Sequence, residues 1–256
     1  MNNAVVYPKN TSKSVTARAL AVLGAFTVAE PSLTLSHLAR IAGLPIATVF
    51  RLAAELEEGG FLDRDDAGRY SLGVKLWEMG LLTPVHGHLR EIAMPFLLNL
   101  QYDCREIVQL AVRDGVDAIY VEKLTSEESV PVQSRIGARI PLHATGVGKT
   151  LLAYSPESFI EVVLEMQLPR YTEDTLTNKR ALAKDLAAIK AQGFARSHQE
   201  YLMGSTSVAA PVLVNGVIRA SIGIVNYTAR EDLDTCVPAL LHAATGLGKR
   251  LEEIES

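Results

Sequence analysis

The sequence predicts an α+β chain in two parts: an N-terminal winged helix-turn-helix, then a larger domain of antiparallel strands flanked by helices. Three observations carry this. Residues 34–72 read as two short helical patterns around the turn Ala42-Gly43-Leu44, followed by a strand–turn–strand pattern. From Glu106 the apolar period changes from helical to alternating. The chain returns to a long helical pattern at its end, with Leu233, Val237, Leu240, Ala244, Leu247, Leu251 and Ile254 on one face.

Residues 1–12 carry no apolar period. Ser14 can cap a helix running to about Val28, with Val15, Leu20, Leu23 and Phe26 turned inward. Thr34 is the expected N-cap of the next helix, whose Leu35, Leu38, Ala39 and Ala42 share a face, and Gly43 can take the left-handed turn that ends it. Pro45 stands where a further helix should begin. In that helix Val49, Leu52, Ala53 and Leu56 form the buried stripe, leaving Ile46, Ala47, Thr48, Phe50 and Arg51 on the opposite face. Short side chains and one arginine near the N-terminal half are what a DNA major groove admits. Gly59-Gly60 ends the helix, Phe61-Leu62 opens a strand, Asp65-Asp66-Ala67-Gly68 turns it and Arg69-Tyr70-Ser71-Leu72 returns as a wing. The candidate groove contacts are Pro45, Ile46, Ala47, Thr48, Phe50 and Arg51, with Ser14, Arg18 and Arg69 on phosphates.

Charge does not advertise this role. The 256 residues carry a formal net charge of −4. Residues 1–72 balance Lys9, Lys13, Arg18, Arg40, Arg51, Arg64 and Arg69 against Glu30, Glu55, Glu57, Glu58, Asp63, Asp65 and Asp66. The three glutamates of the recognition helix fall at its far end, away from Arg51. At 48% hydrophobic and 21% charged, the composition is globular. No run approaches eighteen apolar residues and the N-terminus lacks a signal-peptide core, so a cytoplasmic setting without a membrane partner is expected. Cys104 and Cys236 have neither zinc nor redox spacing.

Residues 74–104 read as a helical connector between a DNA-binding domain (1–73) and a third segment (105–256). Helices are expected at Gly73–Leu82 and Arg90–Cys104, broken at Pro84, and the single tryptophan, Trp77, suits self-association as well as packing. Strands are expected over 106–114, 115–124 and 130–137, the first two joined by a tight turn at Asp114-Gly115. Helices follow at about Gly146–Tyr154, Pro156–Met166 and Lys179–Gln192, and strands return at Phe194–Gln199, Ser207–Val214 and Val217–Asn226.

Chemistry-bearing patterns are few. Gly146-Val-Gly-Lys-Thr150 suggests a phosphate loop, but the position that needs its first glycine is His143. Part of that physics survives, because amides at a helix start can hold an anion such as a carboxylate. A tight packed turn is the alternative. His198, Ser205, Ser207 and Glu200 lack a nucleophile-elbow context, so no catalytic residue is assigned. His86 and His88 have no acidic or cysteine companion, so no metal and no cofactor is assigned.

The chain resembles the IclR family of bacterial transcriptional regulators. The likeness rests on Ser14–Leu23, on GLPIATVFRLAAELEEGGFL, on Tyr70-Ser-Leu-Gly73, on Arg139–Thr150, on Gly193–Val212 and on Ala220–Arg230. It implies a winged helix joined by a helical connector to a GAF-like effector-binding domain, assembly as dimer or tetramer, operator DNA as partner, and control by a small molecule. Carried over by motif position, the effector wall would be Val132, Ile140, Gly146, Val147, Ser197, Ser205, Ser207, Gly223 and Val225. Many relatives are acidic near 197 and carry serines near 223 and 225. Ser197, Gly223 and Val225 here imply a less polar carboxylic acid, aromatic ones included. Phe50 also departs from the family's usual histidine or tyrosine, which suits packing on sugar or a thymine methyl. The competing reading is a small-molecule metabolic enzyme with a helical N-terminal appendage.

Overall fold

A computed structural model describes residues 14–83, 89–125, 135–227 and 233–255. They fall into two compact units divided between Thr83 and Pro84. The helix Val74–Leu81 (α4) therefore groups with the first unit, and Arg90–Cys104 (α5) with the second.

In the first unit, α1 (Val15–Leu23) starts where the Ser14 hydroxyl accepts from the Ala17 amide. It stops short of the expected Val28, because Gly24 weakens helix propagation and Ala25 is buried in the core instead. Helix α2 (Leu35–Ala42) is capped by Thr34, which accepts from the His37 amide, and is ended by Gly43 at φ +66°. Helix α3 (Ile46–Glu58) follows Pro45 directly. The wing is the antiparallel pair β2 (Leu62–Arg64) and β3 (Tyr70–Leu72). A further short strand, β1 (Ser32–Leu33), which the apolar pattern is too brief to reveal, pairs with the free side of β3. Val22, Leu33, Leu38, Val49, Leu52, Leu62 and Tyr70 fill one core shared by helices and wing.

The second unit is an α+β, GAF-like layer arrangement built on one antiparallel sheet, whose strands lie in the order Arg139–Pro141 (β6), Asp117–Leu124 (β5), Ile107–Asp114 (β4), Val217–Asn226 (β9), Thr206–Val214 (β8) and Ala195–His198 (β7). The central strands β4 (Ile107–Asp114), β5 (Asp117–Leu124), β8 (Thr206–Val214) and β9 (Val217–Asn226) alternate two apolar faces. Val108, Leu110, Val208, Ala210, Val212, Ile222 and Ile224 point toward α5 and the C-terminal helix α9 (Val237–Glu255). Ala111, Tyr120 and Ala209 point the other way, toward α6 (Gly146–Ala153), α7 (Glu157–Glu165) and α8 (Lys179–Gln192). Strand β7 (Ala195–His198) lies outermost against β8.

Two expectations change. The first hairpin turns at Gly115-Val116, one residue later than expected, with Gly115 at φ +60° supplying the left-handed residue. Of the strand expected over 130–137, residues 135–137 form a turn instead, and 126–134 lie outside the described residues. The strand in this region is β6 (Arg139–Pro141), an edge strand on β5, a position that tolerates Pro141.

Gly73 closes the wing. Its amide donates to the Phe61 carbonyl at 2.9 Å. A Cβ at this position would lie 2.2 Å from the Gly60 carbonyl oxygen. Gly73→Ala must therefore push backbone against backbone. The expected outcome is a loss of about 1–3 kcal/mol from the N-terminal unit, read by chemical denaturation.

Candidate functional site

Two faces carry candidate chemistry, one in each unit. On α3 the buried stripe is Val49, Leu52 and Ala53, with Leu56 partly buried beside it. Pro45, Ile46, Ala47, Phe50 and Arg51 are exposed on the opposite side, and Thr48 is half-buried with its amide donating to the Pro45 carbonyl. Ile46 and Phe50, one helical turn apart, are 52% and 50% exposed and form an apolar pair on the outward side of the helix.

The cations around this face differ in how far they are committed. Arg69 donates to both the hydroxyl and the carbonyl of Ser32, tying the wing to β1. Arg64 stacks over the Tyr70 ring, Arg40 is engaged by His37, and Lys75 pairs with Glu78. Arg18 donates to the Ser14 carbonyl, and the Ser14 hydroxyl is occupied as the α1 cap. Arg51, by contrast, makes no hydrogen bond or ion pair among the described residues.

In the second unit a cavity of about 40 Å³ opens between the start of α6 and the sheet. Its floor follows from the register. Ser197 of β7 is opposite Ser207 of β8, which is opposite Val225 of β9. One row on, Ala209, Gly223 and Gln109 stand side by side on β8, β9 and β4. Helix α6 sits directly on these rows because glycines leave the room. A Cβ at Gly223 would lie 2.6 Å from Val147, and one at Gly146 would lie 2.7 Å from the Ser207 hydroxyl. Thr145 caps the helix, accepting from the Gly148 amide and donating to the Pro141 carbonyl. The first two amides of α6, those of Gly146 and Val147, have no hydrogen-bond partner among the described residues.

Of the expected wall, the structure brings together Gly146, Val147, Ser197, Ser205, Ser207, Gly223 and Val225. Ile140 does not join them. It lies on the edge strand β6 and packs in the apolar cluster beneath α6–α8. Val132 lies outside the described residues, as do His86 and His88. The Ser205 hydroxyl is already engaged, donating to the Leu202 carbonyl. Sequence reasoning missed Gln109, Tyr120, Ala144, Thr145, Tyr201, Leu202 and Tyr227. Gln109 did leave a signal, as the one polar residue inside the apolar run Ile107–Val112. Burial, together with neighbouring tyrosines, raises the phenol of Tyr120 above the usual range and pushes Tyr227 up to about 12, while burial and the Asp117 carboxylate raise that of Tyr201. Burial likewise lowers the imidazole of His143, whose Nε2 meets the Pro169 carbonyl.

Behind the cavity, Lys149 of α6 is only 1% exposed. Its Nζ lies 2.8 Å from Asp185 of α8 and 2.7 Å from Glu200, in the turn after β7. The same turn is held by Thr172 and Thr175, whose hydroxyls donate to the carbonyls of Gln199 and Glu200. Burial raises the Glu200 carboxyl, with Lys149 opposing that shift. The lysine of the Gly-Val-Gly-Lys-Thr run is thus a buried clamp rather than a phosphate ligand. Among the described residues no cluster of histidine, cysteine and carboxylate could hold a metal, and no helix is long and apolar enough to cross a membrane.

Comparison with known proteins points one way. A family model described as the IclR helix-turn-helix domain matches residues 15–66, and one described as bacterial transcriptional regulator IclR C-terminal matches residues 83–248. The chain is 34% identical to the HTH-type transcriptional regulator KipR of Bacillus subtilis, over 87% of this chain and 89% of that one. It is 31% identical to the HTH-type transcriptional regulator XynR of Escherichia coli, over 84% of this chain and 86% of that one. Among solved structures, an IclR homolog from Microbacterium hydrocarbonoxydans complexed with 4-hydroxybenzoate superposes with a TM-score of 0.89 at 32% identity, covering 94% of this chain and all (100%) of that one. The IclR of Thermotoga maritima superposes with a TM-score of 0.77 at 28% identity, over 93% of this chain and 98% of that one.

Lys149 gives this site its stability test. Lys149→Ala leaves the Glu200 carboxylate buried without its cation, so a loss of about 3–5 kcal/mol is expected in urea denaturation. Combining Lys149→Met with Glu200→Gln should recover part of this, because the more deeply buried carboxylate is then neutral and Asp185, with its side chain 32% exposed, keeps some contact with water.

Proposed function

The chain belongs to the IclR family of DNA-binding transcriptional regulators, and from that premise we propose that it binds operator DNA as a homo-oligomer and answers to a small carboxylic acid held at the start of α6. The observation that carries the effector reading is the pair of unpartnered amides at Gly146 and Val147. They open into a cavity whose opposite wall is Ser207, with Val225 and Gly223 beside it. A carboxylate there meets two N–H donors and the positive end of a helix without needing a cationic side chain. Ser207 supplies a further hydroxyl, while Val147 and Val225 with Tyr120, Tyr201 and Tyr227 enclose an apolar or aromatic body.

Volume constrains how this happens. A cavity of about 40 Å³ takes a few waters, whereas benzene-sized guests occupy voids of about 150 Å³. An aromatic acid must therefore widen the site. The segment placed to yield is the 201–205 part of the turn, beyond the clamped Gln199 and Glu200, which brings Tyr201 and Leu202 to the cavity. Such an acid would bind an opened state better than the closed one, which is the requirement for a ligand to shift a conformational equilibrium. The relative solved with 4-hydroxybenzoate is consistent with an effector of this class.

Assembly follows from α4. Val74, Trp77 and Leu81 lie one helical face apart and are 63%, 65% and 44% exposed. A single neutral winged helix reads one half-site weakly, and a two-fold partner doubles the contact. A second copy of this chain packed on that apolar face would bury it.

Two measurements test the proposal. In a thermal-shift screen, benzoate and 4-hydroxybenzoate together with short aliphatic acids should include at least one that raises the melting temperature. Ser207→Ala should weaken that ligand by roughly 0.5–1.5 kcal/mol while leaving ligand-free operator binding intact. If no acid shifts the melting curve, the effector class is wrong. By sedimentation, the protein should be at least dimeric at micromolar concentration, and Trp77→Glu should lower its mass. A wild-type monomer would rule out the assembly.

A further inference from the structure

The exposed face of α3 is apolar where a DNA-reading helix is ordinarily polar. Along Ile46, Ala47, Phe50, Arg51 and Ala54 the one side chain that can hydrogen-bond is that of Arg51, half-buried Thr48 adds a hydroxyl beside a methyl at the edge of this face, and the acidic residues begin at Glu55. Ile46 and Phe50 stay about half exposed although a well-formed core lies on the other side of the same helix. In a major groove the base-edge group that offers an apolar surface is the thymine methyl, whereas guanine offers the O6/N7 pair that a free arginine fork can bridge. Glutamine or asparagine, the usual partners of adenine edges, are missing from this face.

We propose that α3 reads its half-site by methyl recognition: Phe50, flanked by Ile46 and Ala47, packs on thymine methyls next to a guanine held by Arg51. Spacing makes this specific. Ile46 and Arg51 are five residues apart, roughly 7.5 Å along the helix, which corresponds to about two base-pair steps. The thymines therefore lie within about three base pairs of the guanine. Phe50 contributes specificity with no electrostatic component, because it carries no charge and donates no hydrogen bond.

Replacing thymine by uracil deletes the methyl and keeps every hydrogen-bonding group, so it isolates this contact. Duplexes are first selected by the full-length protein from a library with a randomised core. In the selected half-sites a guanine with one or more thymines inside that distance is expected. Exchange of each such thymine for uracil should weaken wild-type binding about threefold to fivefold per methyl contacted. The Phe50→Ala protein should bind the thymine and uracil duplexes equally at the position Phe50 covers, and its salt dependence should match that of the wild type, since no phosphate contact is lost. Phe50→Leu should keep part of the uracil sensitivity. Arg51→Ala should relax the choice at guanine and leave uracil sensitivity in place. Selected sites without thymine beside the guanine, a wild-type protein indifferent to uracil, or a Phe50→Ala protein as sensitive to uracil as the wild type would each overturn the proposal. Selection of no duplex at all would instead count against operator binding itself.

Discussion

The second unit depends on one buried cation. Lys149 cannot be left without an anion in an apolar interior, since an unpaired buried charge costs several kcal/mol. Its two carboxylates come from different places, Asp185 on α8 and Glu200 in the turn after β7. Satisfying the lysine therefore positions three segments at once: α6, α8 and the turn carrying Tyr201 over the cavity. Glycines make the same demand in steric form. At Gly148 a Cβ would meet the Pro141 carbonyl at 2.6 Å, as the Gly223 gap meets Val147. The run that looks like a nucleotide loop is thus explained by packing, with its glycines allowing close approach and its lysine neutralised inside the protein.

Much of the fold is legible from periodicity. The boundaries of α5 and α8 fall where the helical pattern places them, and Gly43 takes the left-handed conformation that a short helix–turn–helix connection needs. The elements that escape do so for physical reasons. Strand β1 has two residues, too few for any period, and exists only because β3 offers an unpaired edge. Helix α1 ends early because Gly24 outweighs an apolar pattern that continues past it. Long-range pairing is invisible in a local window, so nothing near Gln109 reveals that it stands beside Gly223, more than a hundred positions away.

The cavity wall divides along the same line. Ser207, Gly223 and Val225 could be placed from the resemblance because they sit on regular strands with alternating faces. The tyrosines could not. Tyr201 comes from an irregular turn and Tyr227 from the end of β9, so their direction is set by tertiary contacts rather than by strand period. Ile140 belongs to an edge strand and turns into the apolar cluster that also holds Val147 and Leu151, so it packs beneath the helix and does not line the cavity. The glycine–lysine run contributes Gly146 and Val147 to the cavity wall but keeps its lysine out of it, and Gln109, a polar residue isolated in an apolar run, lines the cavity from the sheet.

The tethering of Arg64 to Tyr70 and of Arg69 to Ser32 has a consequence for how the protein finds its target. Affinity for arbitrary DNA comes mainly from releasing counterions around phosphates, and it scales with the number of cations free to approach them. On residues 1–72, whose charges balance, the wing arginines keep their charge but are held by Tyr70 and Ser32, which limits how many cations reach phosphates. Few cations reaching phosphates means a shallow salt dependence of binding to random sequence. Occupancy of an operator then depends more on the quality of a few base-edge contacts and less on the ionic strength of the cell.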